Sequence, residues 1–252
     1  MSEGKAMSHH HTLILQRRAV LRLAGCTIVA LTAVPSLAAS APLKIGTIGA
    51  GNIGRTLGGV WVKAGHEVMF SSRHPEELKD MIAALNSNKA RAGTVAEAVA
   101  FADVVLLAVP YSAMLGISKD HAKALAAKAL VFDASNPSPG RDGAVAEEAL
   151  KMGAGLHTAS VLPGARIVRA FNAIGAARFG QGGRNSSGAR IGIPMAGDDA
   201  GALKIAAALI DETGFEPVVV GNLDFGKHLR PRTPLGGEHT ADEIRAIAAT
   251  LK

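Results

Sequence analysis

The sequence is poor in cysteine and in aromatic residues, and each shortage excludes a class of protein. Its 252 residues include a single cysteine, Cys26, which excludes an intrachain disulfide bond and a zinc-ribbon site. Aromatic residues make up 4% of the chain, too few for a protein that stacks the bases of single-stranded nucleic acid. Charged residues are also scarce, at 19%, whereas apolar residues reach 48%, so the composition indicates a folded domain and excludes a disordered chain.

The net charge of +6 would by itself suggest an anionic partner such as nucleic acid. The basic excess is uneven, however, because residues 1–38 carry four of the 27 basic residues and one of the 21 acidic residues. Without these residues the net charge would be +3. We therefore expect no nucleic-acid partner. The histidines after residue 38 lack the spacing of metal ligands, so we expect no metal site either.

Residues 1–41 have the order of features found in an export signal. Arg17 and Arg18 precede an apolar run from Leu23 to Leu37, and small residues follow that run. The segment QRRAVLR resembles a twin-arginine signal, and cleavage after Ala38 fits best. We therefore expect a periplasmic protein without a stable membrane partner. The alternative is an uncleaved segment that anchors the protein, although the apolar run is shorter than the ~20 residues that span a bilayer.

The pattern that follows is typical of a strand, turn and helix that bind a dinucleotide. An apolar run, Leu43 to Ile48, leads into the motif GAGNIG, and apolar residues then recur at helical spacing until Gly65. The first glycine of such a motif permits a tight turn, the second lets a pyrophosphate approach the backbone, and the third lets the helix pack closely on the strand. We predict cofactor contacts from Gly49, Ala50, Gly51, Asn52, Ile53 and Gly54.

The end of the second strand, Glu67 to Ser71, favours NADP over NAD. Proteins that bind NAD usually place an acidic residue there to bond the ribose 2′-hydroxyl, but this sequence has no carboxylate before Glu76. Arg73 can instead pair with a 2′-phosphate, and Ser72 can donate a hydrogen bond to it.

Further strands and helices alternate along the chain, which predicts a Rossmann-type α/β fold with a doubly wound parallel sheet. Residues 42–164 would form the NADP-binding domain, and residues 165–252 a small C-terminal α/β lobe on the acceptor side. The predicted strands and helices are strands at 102–110, 129–134, 166–172, 189–196 and 216–220, a helix at 200–213 and a final amphipathic helix from Asp242.

Ligands of such sheets bind beyond the carboxyl ends of the strands. We therefore add five residues at strand ends to the predicted cofactor contacts: Val109, Pro110, Tyr111, Asn136 and Asn172. Hydride transfer to a flavin needs no dedicated acid, so the sequence leaves the catalytic residues unassigned. A carbonyl or imine acceptor would need a proton donor, and the candidates are Tyr111, His157, His228 and His239.

Several segments together resemble the NADP oxidoreductases of the coenzyme F-420 (deazaflavin)-dependent type. They are KIGTIGAGNIG from Lys44, SSRHP from Ser71, VLLAVP from Val105, RAFNAI from Arg169, AGDD from Ala196 and GFEPVVVG from Gly214. The resemblance covers about residues 43–225. It implies NADP(H) bound by the glycine-rich turn, Ser72 and Arg73 at the 2′-phosphate, and a small C-terminal lobe that shapes the acceptor pocket.

The expected function is transfer of hydride between NADP(H) and a flavin-like, deazaflavin-like or small organic acceptor. One alternative is a module that binds NADP and senses redox state without turnover. Another is an imine reductase similar to pyrroline-5-carboxylate reductase, although residues 189–220 do not have the pattern of the helical dimerisation domain of that family. The expected partners are a small-molecule hydride acceptor and, as an open alternative to a monomer, a second copy of the chain.

Overall fold

Eight strands form one sheet in residues 41–251, the part of the chain that this computed structural model describes. They are β1 (Lys44–Ile48), β2 (Glu67–Ser71), β3 (Ala90–Gly93), β4 (Val104–Leu107), β5 (Leu130–Asp133), β6 (Ile167–Arg169), β7 (Gly192–Gly197) and β8 (Glu216–Gly221). The strand order is 3-2-1-4-5-6-7-8. The first six strands are parallel, whereas β7 pairs antiparallel with β6 and parallel with β8. The predicted Rossmann-type α/β fold is confirmed, with its last two strands reversed.

Helices cover both faces of this sheet. They are α1 (Asn52–Ala64), α2 (Lys79–Ala84), α3 (Val95–Phe101), α4 (Met114–Ala126), α5 (Pro139–Asp142), α6 (Ala144–Met152), α7 (Ala154–Val161), α8 (Ala176–Phe179), α9 (Ala200–Glu212) and α10 (Ala241–Thr250). Local sequence fixes several of their ends. Gly65 ends α1 because its φ of 105° is left-handed and its N–H bonds the carbonyls of the last turn. Thr94 and Thr240 begin α3 and α10 through capping boxes.

The main core joins the two halves of the chain. Trp61 of α1 stacks on Phe132 of β5 with a centroid distance of 6.0 Å, and its indole N–H donates to the carbonyl oxygen of Leu209 in α9 at 2.9 Å. Phe171 meets the edge of Phe179, and Phe179 meets the edge of Phe215 before β8. The predicted boundary between residues 164 and 165 stays a prediction, but segments from both sides of it contribute strands to one sheet and side chains to one core.

The sequence misses β3, because its residues Ala90–Gly93 form no apolar run. This strand lies at the edge of the sheet, where hydrogen bonds to β2 stabilise an extended conformation that its own composition does not favour. The predicted export signal, its cleavage site and Cys26 lie outside the described residues and stay predictions. Within residues 41–251, no helix is both long and apolar enough to cross a membrane.

Candidate cofactor site

The glycine-rich turn between β1 and α1 has three glycines with three different surroundings. Gly49 has a φ of 96°, and a β-carbon there would lie 2.5 Å from the carbonyl oxygen of Ala108. A β-carbon on Gly54 would overlap the carbonyl oxygen of Gly49. In contrast, a β-carbon on Gly51 would meet no atom of the described structure within 4 Å. The fold therefore explains the first and third glycines, whereas the second keeps open a space that a ligand can fill.

A cavity of about 680 Å³ lies beside this turn. It is lined by the carboxyl ends of β1, β2 and β4, as the fold class predicts for a ligand site. Seven predicted contact residues line it: Gly49, Ala50, Gly51, Ser72, Arg73, Val109 and Pro110. The sequence prediction missed the other lining residues, which are Ile48, Ser71, Leu78, Val95, Ser112, Ala113 and Ile117.

Asn52, Ile53 and Gly54 belong to the first turn of α1 and do not line the cavity. The N-terminus of this helix has no side-chain cap, because the N-cap residue is Gly51. Its first N–H groups are therefore free to bind an anion such as a pyrophosphate. Asn52 is exposed beside them and accepts a hydrogen bond from Arg55 at 2.6 Å.

The end of β2 carries a positive charge and no carboxylate. Arg73 is exposed, and no described residue forms an ion pair or a hydrogen bond with its guanidinium group. The hydroxyl oxygen of Ser72 accepts a hydrogen bond from the N–H of His74 at 3.1 Å, which leaves the hydroxyl proton available to a ligand. The hydroxyl oxygen of the neighbouring Ser71 is buried without a partner among the described residues. These groups fit the 2′-phosphate and ribose of NADP.

Tyr111 requires a correction, because its side chain is completely buried and does not line the cavity. The 3₁₀ turn after Pro110 directs it toward α7, where its hydroxyl lies 3.2 Å from the carbonyl oxygen of Ala154 and 3.1 Å from His157 Nδ1. Burial and the nearby charge of Asp133 raise the pKa of Tyr111 to about 12. Tyr111 therefore has neither the position nor the acidity of a proton donor to a ligand in this cavity.

The other candidate proton donors also lie away from the cavity. His157 is buried against Tyr111. The His228 ring packs on Phe225 with a centroid distance of 4.9 Å. The backbone carbonyl of His239 accepts a hydrogen bond from Gly192 at the start of β7. None of these three histidines lines the cavity, which the sequence alone could not show.

Asn136 and Asn172 lie together, but they bond to the backbone and do not line the cavity. The Asn172 side chain is buried, and its Nδ2 donates to the carbonyl oxygens of Asp133 and Ser135 at 3.1 and 3.2 Å. Asn136 Nδ2 in turn donates to the carbonyl oxygen of Asn172 at 2.8 Å. The two amides therefore fix the loops that follow β5 and β6, and direct contact of either with a cofactor stays a prediction.

A buried ion pair joins the two strands that lead into these loops. Arg169 of β6 and Asp133 of β5 are both fully buried, and Arg169 Nη1 lies 2.5 Å from Asp133 Oδ2. Thr158 donates to the same carboxylate oxygen at 2.7 Å, and the N–H of Ser135 donates to Asp133 Oδ1 at 2.9 Å. Arg169 Nε is buried without a partner among the described residues, but the ion pair and these hydrogen bonds together fix the geometry at the ends of β5 and β6.

Asp142 connects two loops at the cavity wall. Burial would raise the pKa of this carboxyl, but the hydrogen bonds from Arg141 and from the N–H groups of Ser112 and Ser138 prevail and lower the pKa to about 2. Asp142 is therefore ionised at neutral pH. No motif predicts a role for this residue, because 30 residues separate it from Ser112, whose N–H donates to Asp142 Oδ1 at 3.2 Å.

Comparison with known proteins supports the resemblance inferred from the motifs. Residues 44–137 match the protein family described as NADP oxidoreductase, coenzyme F420-dependent. The predicted resemblance to this family is confirmed over these residues, which are fewer than half of the chain. The matched residues contain the glycine-rich turn after β1, Ser72 and Arg73 after β2, and Val109 and Pro110 after β4, all of which line the cavity.

The chain is also similar to part of a longer protein and to almost the whole of a solved structure. It is 29% identical over 185 residues to the metalloreductase STEAP3 of Rattus norvegicus, a match that covers 71% of this chain and 34% of that protein. The chain thus corresponds to about a third of the length of that relative. A hypothetical protein, SMa0349 of Sinorhizobium meliloti, has a similar structure with a TM-score of 0.59 and 25% identity, covering 79% of this chain and 95% of the other.

A second solved structure shares the fold over most of its length. It comes from Arthrobacter sp. FB24 and is described as an F420-dependent NADP reductase. Its TM-score is 0.60 at 21% identity, and the match covers 73% of this chain and 87% of the other.

Proposed function

We propose that the protein transfers hydride between NADP(H) and a flavin-like or deazaflavin-like acceptor. One observation carries this proposal: the wall of a single cavity holds both Arg73, which has no partner among the described residues, and the open space at Gly51. Arg73 and Ser72 would hold the 2′-phosphate, and the turn at Gly51 with the start of α1 would hold the pyrophosphate. Bound NADP(H) supplies or accepts the hydride at its nicotinamide ring.

The lining of the cavity favours a flavin-type acceptor over a carbonyl or an imine. Among the described residues that line it, none is a histidine, tyrosine, lysine, aspartate or glutamate. Reduction of a carbonyl or an imine needs a proton donor, whereas hydride transfer to a flavin depends mainly on position and on exclusion of water. The wall formed by Val109, Ala113 and Ile117 is apolar and suits that exclusion.

The proposal can be tested by following NADPH oxidation with flavins, a deazaflavin, ferric chelates, small carbonyls and a cyclic imine as acceptors. We expect turnover with flavin-type acceptors and little with the carbonyls or the imine. Tight NADPH binding without turnover on any acceptor would instead support the redox-sensing module. Turnover restricted to the imine would support the relationship to pyrroline-5-carboxylate reductase.

The choice of cofactor depends on Arg73. Replacement of Arg73 by alanine is expected to lower the affinity for NADP at least tenfold, because a charged hydrogen bond worth about 1.5–3 kcal/mol is lost. The affinity for NAD should change little, since NAD has no 2′-phosphate. Titration calorimetry with both dinucleotides measures the two effects. Arg245→Ala, on α10 beyond the far end of the sheet, is the matched control. Equal losses for NADP and NAD would contradict the assignment.

Export remains a further proposal, supported by the paired arginines and the apolar run before residue 38. The twin-arginine route carries folded proteins, so a tightly held NADP(H) could be bound before export and recycled in place. Mass spectrometry of the native periplasmic protein tests this. Protein that is found there without bound dinucleotide would contradict in-place recycling.

A further inference from the structure

Ser112 lies on the cavity wall, in the turn that follows β4 and Pro110. Both of its donor groups face the same atom outside the cavity. Its backbone N–H lies 3.2 Å from Asp142 Oδ1, and its hydroxyl oxygen lies 3.1 Å from the same carboxylate oxygen. Ser112 is therefore held on the wall by two bonds to one partner.

The surroundings of Asp142 decide the direction of the hydroxyl bond. The carboxylate of Asp142 is fully buried and receives further hydrogen bonds from the N–H of Ser138 at 3.0 Å and from Arg141 Nη2 at 2.7 Å. An ionised carboxylate can only accept, and a serine hydroxyl has one proton. The proton of Ser112 must therefore point to Asp142, which leaves the lone pairs of its oxygen for the cavity. A ligand group that meets Ser112 has to be a donor.

The position of Ser112 identifies the part of the ligand that reaches it. Arg73 at the end of β2 is suited to the 2′-phosphate, and Gly51 at the end of β1 is suited to the pyrophosphate. The end of the cavity beyond β4, with Val109 and Ser112, is then left for the nicotinamide. The carboxamide of nicotinamide carries an NH₂ group, which is the donor that this oxygen requires.

We propose that Ser112, fixed as an acceptor by Asp142, binds the carboxamide NH₂ of NADP(H), and that Asp142 is a positioning residue for this contact. The inference rests on the proposed function, because it requires the dinucleotide to occupy this cavity. Ser112 and Asp142 would then select the nicotinamide over rings that carry no hydrogen-bond donor. Neither residue is recognisable in the sequence.

Binding of NADP analogues tests the contact without any measurement of turnover. In the 3-acetylpyridine analogue a methyl ketone replaces the carboxamide, so no N–H remains, whereas the thionicotinamide analogue keeps its NH₂. We expect the wild-type protein to bind NADP and the thionicotinamide analogue about three- to tenfold more tightly than the acetylpyridine analogue, as measured by titration calorimetry. Ser112→Ala should abolish this preference by weakening only the two dinucleotides that carry the NH₂ group.

Three further variants separate positioning from stability. Asp142→Asn should also reduce the preference, because an amide can donate to Ser112 and release its proton toward the cavity. Asp120→Asn, an equal charge change on the exposed face of α4, should leave the preference unchanged. Ser112→Thr should retain the preference, since the hydroxyl is kept. If Asp142→Asn does not fold, Ser112→Ala still decides, because it removes a single oxygen atom from an exposed residue.

The results that overturn the inference differ from those that overturn the proposed function. If Ser112→Ala weakens all three dinucleotides equally, or if it leaves the preference intact, the NH₂ group does not bind Ser112. If the wild-type protein binds NADP no more tightly than NAD, the proposed function itself fails, and that comparison does not depend on residue 112.

Discussion

Replacement of Arg169 by alanine is expected to lower the free energy of unfolding by about 3–5 kcal/mol, because it leaves the carboxylate of Asp133 buried without its counter-charge. The stem of Arg169 is also closely packed. A β-carbon on Gly226 would lie only 2.8 Å from its Cδ, so the shortened side chain leaves a cavity as well as an unpaired charge.

Urea unfolding at neutral pH measures this loss. Arg245→Ala is the control, since Arg245 is more than half exposed and forms ion pairs with Asp242 at 2.7 Å and with Glu216 at 3.5 Å. These exposed pairs should contribute less than about 1 kcal/mol each. The double variant Asp133→Ala with Arg169→Ala should cost less than the sum of the two single variants, because it leaves no lone charge. Strictly additive losses would contradict a direct coupling of the two charges.

Gly51→Val is expected to leave the fold intact and to remove dinucleotide binding. The φ of −73° and ψ of −164° at Gly51 are accessible to valine, and no described atom lies within 4 Å of the added β-carbon. The side chain would instead occupy the space in which a pyrophosphate approaches the backbone. Loss of one or two charged hydrogen bonds, each worth about 1.5–3 kcal/mol, should weaken NADP binding about a hundredfold or more.

Thermal unfolding and calorimetry together distinguish this effect from general damage. The wild-type protein and Gly51→Val should have melting temperatures within a few degrees of each other, but only the wild type should bind NADP. Gly54→Ala should behave in the opposite way, since its methyl group overlaps the carbonyl of Gly49 and lowers stability directly. A Gly51→Val protein that still binds NADP with normal affinity would show that the pyrophosphate does not lie at this turn.

The parts of the site that could be predicted from sequence are those marked by a motif of neighbouring residues. The glycine-rich turn and the Ser72–Arg73 pair follow strands directly, so their order along the chain already fixes the edge of the sheet on which they lie. The same argument failed for Tyr111, because strand order gives the edge but not the direction of a side chain. A single 3₁₀ turn after Pro110 sends the ring into the interior while Ser112, one residue later, lines the cavity.

The residues that the sequence prediction missed depend on contacts between distant segments. Asp142 faces Ser112 only because α5 folds back over the loop after β4. The amide of Asn172 reaches the backbone of β5 from the loop after β6, next to Phe171 with a left-handed φ of 67°. A bulky residue rarely adopts this conformation, so neither its presence nor its effect on Asn172 could be inferred from residue types.

The hydrogen bond from Trp61 to Leu209 has a consequence for the order in which the chain can fold. The indole and its acceptor are 148 residues apart, and the helix that carries Trp61 is the one whose first turn would face the cofactor. As the ribosome releases the chain, that helix can form early, but its buried face stays uncovered until α9 has been synthesised. A nascent chain thus completes the core beneath its glycine-rich turn only after α9, which ends at Glu212, has emerged, and a dinucleotide bound at that moment would stabilise the newly closed core.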